Sequence, residues 1–262
     1  MKKDAVSLFK ELLEIMDKLR TNCPWDKKQT FDTLRYLTIE ETYELSDAII
    51  EKQFQEIKKE LGDVLLHIVF YSKLGSENKG DDYFDISDVI ENINDKLIKR
   101  HPHIFGDVKV QTDEDVKNNW EKIKLTEAGR TSVLSGVPKS LPAVIKAYRI
   151  QEKARGIGFD WDDVSQVWDK VQEEIDELHE EVVANDNKEN MEMEFGDLMF
   201  ALINYARFIG VNPEDALEKS NRKFIRRFQE VEKRVKAKDM FLPDMSLKEM
   251  DKIWDEVKAD EK

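Results

Sequence analysis

The chain repeats itself. Glu40-Glu41-Thr42-Tyr43-Glu44, followed by Glu60-Leu61-Gly62-Asp63, returns as Glu173-Glu174-Ile175-Asp176-Glu177, followed by Glu194-Phe195-Gly196-Asp197. The displacement is 133 positions from Glu41 to Glu174 and 134 from Asp63 to Asp197. Other landmarks recur in the same order. Trp25-Asp26 returns as Trp161-Asp162, Lys96 and Arg100 as Lys223 and Arg227, and Trp120 with Lys124 as Trp254 with Lys258. Ordered recurrence of this kind is a tandem duplication, so the fold must be one that about half the chain can form twice. Between the copies, Gly129, Gly136, Pro138 and Pro142 with Ser132, Ser135 and Ser140 break the text. This seam predicts a first domain at 1–128, a linker at 129–136 and a second domain at 137–262.

Each copy reads as four or five helices. The 262 residues hold only 10 Gly and 6 Pro, and these fall between long uninterrupted stretches. Leu8, Leu12, Ile15 and Leu19 keep helical spacing, and Phe9, Leu13 and Met16 widen that apolar face. No Gly or Pro stands between Phe31 and Leu61, a stretch long enough for most of two helices with a turn near Glu51–Phe54. Gly75 is a candidate stop for the second. In the second copy, Asn212-Pro213 reads as an N-cap with Pro at the first helical position. Ser246-Leu247-Lys248-Glu249 reads as a capping box before the helix carrying Trp254. Ser76–Asp82 has no full counterpart in the second copy. Strand signals are weak throughout, and the expected class is all-α.

Composition narrows the function. Lys and Arg number 42 against 56 Asp and Glu, a formal charge of −14, which argues against a general nucleic-acid binder needing a basic face. The single cysteine, Cys23, excludes an internal disulfide framework and a Cys-based zinc site, and suits a cytoplasmic setting. No apolar run nears the ~20 residues of a membrane span, and the N-terminus does not read as a signal peptide.

Residues three or four apart on a helix share a face. Glu41 with Glu44, and Glu60 with Asp63, therefore project as pairs, and antiparallel packing of the two helices would bring all four together. Glu174, Glu177, Glu194 and Asp197 repeat the arrangement. Four converging carboxylates repel one another and take up protons unless a cation neutralises them. Oxygen ligands without Cys or a nearby His select Mg²⁺, Mn²⁺ or Ca²⁺ over zinc or copper. Gly62 and Gly196 cost these helices about 1 kcal/mol each against Ala, which close approach of a helix or ligand would explain. A lone Glu-Glu-x-x-Glu is usually a solvated face. Here apolar residues flank the acids (Leu61, Val64, Leu65, Ile68; Phe195, Leu198, Met199, Leu202), and the pattern recurs with a Lys/Arg pair in register. Those pairs, Lys96 with Arg100 and Lys223 with Arg227, stand one turn apart and can grip one anionic group, so a polyphosphate beside the cation is the natural substrate. Trp120 and Trp254 can stack on a base or serve the core.

At these residues the chain resembles the tandem-domain MazG family of nucleoside triphosphate pyrophosphohydrolases. The hallmark is E-E-x-x-E followed by E-x-x-D, and Cys23-Pro24-Trp25-Asp26, Arg100-His101-Pro102-His103 and Gly158-Phe159-Asp160-Trp161 match as well. The resemblance spans nearly the whole chain. It implies helix bundles completed by homodimerisation and Mg²⁺-dependent cleavage of a nucleoside triphosphate to monophosphate and pyrophosphate. It further implies that Glu174, Glu177, Glu194 and Asp197 hold Mg²⁺, with Lys223 and Arg227 on the phosphates and Trp254 near the nucleotide. The first-copy set is Glu41, Glu44, Glu60, Asp63, Lys96, Arg100 and Trp120. Glu173, or Glu40, is the candidate to orient the attacking water. Lys170 stands four before Glu174, placed to help hold phosphate, whereas its counterpart is Leu37; this favours the second copy as the stronger catalyst.

Two other classes compete. A non-catalytic helical dimerisation or interaction module would leave the recurring Lys, Arg and Trp without a reason, while its degenerate form, one catalytic and one regulatory domain, stays open. A di-iron bundle needs Glu-x-x-His pairs, but His67 follows Asp63 by four and has no match in the second copy. His101-Pro102-His103 reads as a loop.

Overall fold

The computed structural model describes residues 4–112, 115, 116, 119, 120, 123, 132–184 and 187–261. The chain divides into two compact units, Met1–Val116 and Lys117–Lys262. No strand occurs among the described residues.

The first unit contains α1 (Ala5–Asn22), α2 (Phe31–Ile50), α3 (Phe54–Gly75), α4 (Ile86–Arg100) and the short α5 (Pro102–Phe105). Local chemistry sets these limits. The Asp4 carboxylate accepts from the backbone N–H groups of Val6 and Ser7 at 3.0 and 3.1 Å, capping α1. Thr30 and Thr33 form a reciprocal capping box at the start of α2, a device worth about 1 kcal/mol. The turn between α2 and α3 falls at Glu51–Gln53, with Lys52 left-handed at φ 55°. Gly75 is the last residue of α3, and its lack of a side chain admits Phe84: a Cβ there would lie 2.6 Å from the Phe84 ring. Met16, Leu34, Val69, Phe70 and Leu74 form the buried core joining α1, α2 and α3. Pro102–Phe105 is a four-residue helical turn rather than the loop expected around His101–His103, because Pro102 opens it at the first helical position.

The second unit contains α6 (Ala143–Arg155), α7 (Val164–Ala184), α8 (Lys188–Phe208), α9 (Pro213–Ala237) and α10 (Leu247–Asp260). Asn212 caps α9 by accepting from the Asp215 N–H at 3.2 Å, and Ser246 with Glu249 closes a capping box on α10. Both caps stand where the sequence predicts them. The α3–α4 connection spans ten residues, 76–85, against four, 209–212, between α8 and α9. This is the length difference expected at Ser76–Asp82. Val231, Val235, Ile253 and Val257 form the α9–α10 core, while Val167 and Val171 are buried on α7.

In each unit the two acid-bearing helices form a closely packed pair: α2 on α3, and α7 on α8. That pairing carries the candidate site.

Candidate active site

Helix α2 presents Glu41 and Glu44, and α3 presents Glu60. Their carboxylate oxygens lie within 4.8 Å of one another. In the second unit α7 presents Glu174, and α8 presents Glu194 and Asp197, again within 4.8 Å. The two sets share the positions of Glu41/Glu174 and Glu60/Glu194 and differ in the third member. Asp63 and Glu177 stand outside the tightest triads but within electrostatic reach. Burial and then the charges of Asp63, Glu44, Glu60 and Glu40 push the Glu41 pKa above the ordinary carboxylate value. Glu177 is likewise raised, by desolvation and the Glu174 charge, with Lys170 pulling the other way.

Burial makes the crowding consequential. Glu60 and Glu174 are only 4% and 6% exposed. Glu60 Oε2 is enclosed and accepts no hydrogen bond among the described residues. Like charges in a half-dry space require compensation, and in each unit a lysine ammonium lies against the acids. Lys59 Nζ lies 2.9 Å from Glu60 Oε1. Lys170 Nζ lies 2.7 Å from both Glu173 Oε1 and Glu174 Oε1, bonds that raise its pKa above the usual lysine value. The contact of Lys59 with Glu60 has no signature in the sequence, since adjacent helical residues do not normally face each other.

Among the described residues, no atom beyond their chain neighbours and own helix backbone lies within 4 Å of where a Cβ on Gly62 or Gly196 would stand. Close approach of a neighbouring helix among the described residues is therefore not the reason for these glycines.

The expected phosphate contacts are assembled in part. Arg227 on α9 lies 5.9 Å from the Trp254 ring centre on α10, and Trp254 packs on Phe224 at 5.2 Å. Arg227 donates to Glu261 Oε2 from Nε and Nη2 at 2.8 and 2.6 Å, so its contacts run to Glu261 and Trp254 rather than to the acids. Lys223 stands one turn earlier on α9. In the first unit Lys96 and Arg100 lie on α4, but Trp120 falls beyond the division at Val116 and belongs to the second unit. Lys124 lies outside the described residues. His67 is buried and bonds through Nδ1 to Thr38 Oγ1 at 2.7 Å, in a cluster with Tyr71, and is not one of the grouped acids' partners.

Paired helices that bring together oxygen-only donors, one of each set buried, twice in one chain, define an all-α protein with two sites suited to a hard divalent cation. Comparison with known proteins gives the family. The MazG nucleotide pyrophosphohydrolase domain matches at residues 29–105 and again at 163–232. The nucleoside triphosphate pyrophosphohydrolase of Escherichia coli (strain K12) is 43% identical over 260 residues, covering 95% of this chain and 97% of that protein. The nucleoside triphosphate pyrophosphohydrolase/pyrophosphatase MazG of Thermotoga maritima is 42% identical over 261 residues, covering 98% of each. The uncharacterized protein YabN of Bacillus subtilis is 46% identical over 258 residues, 97% of this chain but 52% of that protein. The chain belongs to the MazG family.

Proposed function

We propose that this chain is a Mg²⁺-dependent nucleoside triphosphate pyrophosphohydrolase that cleaves NTP or dNTP to the monophosphate and pyrophosphate. It is thus a hydrolase acting on acid anhydrides. The observation that carries the reading is the convergence, in both units of a MazG-family chain, of family-motif acids within 4.8 Å. The donor set fits Mg²⁺, with Mn²⁺ an acceptable substitute: all ligands are carboxylates, two are buried, and Glu60 Oε2 accepts no hydrogen bond among the described residues. Glu174, Glu177, Glu194 and Asp197 would hold the ion in the second unit, and Glu41, Glu44, Glu60 and Asp63 in the first. A dication held there would neutralise the polyphosphate and make a bound water more acidic.

The chain's own residues do the rest. Glu173, beside Glu174 and half exposed, is the base that takes the proton of the attacking water; Glu40 has that place in the first unit. Lys223 and Arg227 grip the phosphates, with Trp254 beside them, and Lys96 and Arg100 are the corresponding pair of the first unit. Lys170, paired with Glu173 and Glu174, is placed to help hold substrate phosphate. That lysine, matched by Leu37, supports the second unit as the stronger catalyst.

The chain acts as a homodimer. Leu61, Leu65 and Ile68 make one face of α3, and Phe195 and Leu202 one face of α8, and all five are exposed in a single chain. A second copy is the natural cover for such faces. No described helix is long and apolar enough to cross a membrane. A cytoplasmic setting suits the lone Cys23.

Turnover of nucleoside triphosphates by Glu174→Ala and Glu41→Ala tests the reading. Glu174→Ala should lower kcat by about a hundredfold or more, with a smaller loss for Glu41→Ala. Full activity in both variants would overturn it.

A further inference from the structure

Arg227, the arginine read above as a phosphate contact, is itself held in place. Its Nε and Nη2 donate to Glu261 Oε2 at 2.8 and 2.6 Å, and Arg226 Nη2 donates to Glu261 Oε1 at 2.8 Å. One carboxylate thus serves two guanidiniums, one on each oxygen. The side chains of Arg227 and Glu261 are 21% and 27% exposed, against 69% for Arg226. The Arg227–Glu261 contact is therefore largely shielded from water, whereas Arg226 reaches the carboxylate from the solvent side.

Packing of α10 on α9 delivers the acid. Ile253 and Val257 of α10 are buried with Val231 and Val235 of α9. Arg227 stands four residues before Val231 and Glu261 four after Val257, so both extend the stripes that meet in this core. Local preference opposes the placement. Glu261 is the cap residue of α10, at the negative end of the helix dipole, where a cation is favoured. Its neighbour Asp260 has the same disadvantage and is met by Arg234 Nη2 at 2.7 Å.

The two ion pairs differ in how they recur. Glu127 stands at the repeat position of Glu261, at the displacement of 134 that relates Trp120 to Trp254, and lies outside the described residues. Lys99 and Arg100 correspond to Arg226 and Arg227 at the displacement of 127 that relates Lys96 to Lys223. At the same displacements Asp260 corresponds to Thr126 and Arg234 to Asp107, so that pair has no counterpart. The acid that meets the phosphate arginine is repeated; the acid beside it is not.

The geometry leaves the arginine ready for an anion. A guanidinium can meet an oxyanion along its Nε–Nη2 side or its Nη1–Nη2 end. Glu261 occupies the side, and Nη1 has no hydrogen-bond partner among the described residues. The Trp254 ring centre, 5.9 Å from the Arg227 Cζ, borders the group as well. Because Arg226 shares the carboxylate, two positive charges face one negative charge, and the cluster keeps an excess cation for phosphate. An arginine ordered before substrate arrives loses less rotamer freedom on binding.

We propose that Glu261 is a positioning residue of the second site: its carboxylate, held in turn by Arg226, fixes the Arg227 guanidinium with the Nη1–Nη2 end open to substrate phosphate. This rests on the pyrophosphohydrolase reading above, in which Arg227 contacts phosphate.

The test is calorimetric titration of the full chain, with Mg²⁺, by inorganic triphosphate, alongside kcat and KM for a nucleoside triphosphate. Wild type, Glu261→Ala, Arg227→Ala, the variant carrying both changes, and Asp260→Asn are compared, with melting curves to establish folding. Asp260→Asn loosens the same end of α10 through Arg234 alone. Glu261→Ala should bind triphosphate about tenfold more weakly and raise KM by a similar factor, with kcat within about twofold. In the Arg227→Ala background it should cause no further loss, and Asp260→Asn should bind as wild type does. Unchanged or tighter binding by Glu261→Ala would overturn the proposal, since the carboxylate would then be idle or in competition with phosphate. Equal weakening in Asp260→Asn, or additive losses in the double variant, would reduce Glu261 to an anchor of α10 and overturn it too. If wild type hydrolyses nucleoside triphosphates while Arg227→Ala binds triphosphate unchanged, the activity stands and the proposal falls. If wild type neither binds triphosphate nor hydrolyses any nucleotide, the activity reading falls and the proposal with it.

Discussion

The Lys170 ammonium lies 2.7 Å from the carboxylate of Glu174, whose side chain is only 7% exposed, and 2.7 Å from Glu173. A side-chain cation thus compensates an acid assigned to Mg²⁺. In EDTA, Lys170→Met should leave Glu174 uncompensated and cost about 1 kcal/mol, a modest figure because the lysine is partly solvated. For a domain of this size that is about 4 °C in melting midpoint. Mg²⁺ should restore most of the difference. Equal loss with and without Mg²⁺ would show that the lysine does not share its position with a metal.

Glu41 allows a pH test. Burial and neighbouring acids raise its folded pKa above the unfolded value, so it takes up a proton more readily in the folded state. Its contribution is fully present below the unfolded value, about 4.3, and is lost as pH rises through the raised one. Without metal, Glu41→Gln should therefore raise the melting midpoint at pH 7 relative to wild type and leave it little changed at pH 4. With Mg²⁺ at pH 7 the order should invert, since the variant has lost a ligand. Melting curves at both pH values, with and without Mg²⁺, check this.

His67 should show the opposite sign. Burial lowers its pKa, with the Asp63 charge opposing in part. An imidazole with a depressed folded pKa contributes stability above its unfolded value, about 6.5, and loses it as pH falls through the folded one. Between pH 7 and 5 the wild type should lose more stability than His67→Gln, read as the difference between their denaturation free energies.

Gly75 and Gly62 lie on one helix and should respond differently. A Cβ on Gly75 would stand 2.6 Å from the Phe84 ring, so Gly75→Ala should destabilise by about 1–3 kcal/mol. Gly62 has open space among the described residues, and Gly62→Ala should stay within about 1 kcal/mol of wild type or gain stability. Urea unfolding of both variants measures this.

Much of this was legible in sequence. Spacing along a helix is a local property, so the repeat, the helix caps at Asn212 and Ser246, and the convergence of Glu41 with Glu60 and Glu174 with Glu194 could all be read from it. What depends on tertiary packing could not. The third member of each acid triad differs, Glu44 in one and Asp197 in the other, because side-chain reach depends on how each helix pair sits. Glu261 reads as an ordinary solvated acid until the docking of α10 on α9 sets it against Arg226 and Arg227. Phe70 and Asn204 occupy equivalent repeat positions, yet one fills a core and the other lines a cavity between α6 and α8. The grouping of Trp120 with Lys96 and Arg100 rested on repeat order alone, whereas the compact units divide between them.

The central claim is a cleavage position, and product analysis tests it most directly. Pure protein is incubated with Mg²⁺ and a panel of ribo- and deoxynucleoside triphosphates, and the products are separated by ion-exchange chromatography against an EDTA control. Monophosphate and pyrophosphate in equal amounts, both lost with EDTA, is the predicted result. Diphosphate with inorganic phosphate, or turnover that survives EDTA, would contradict it.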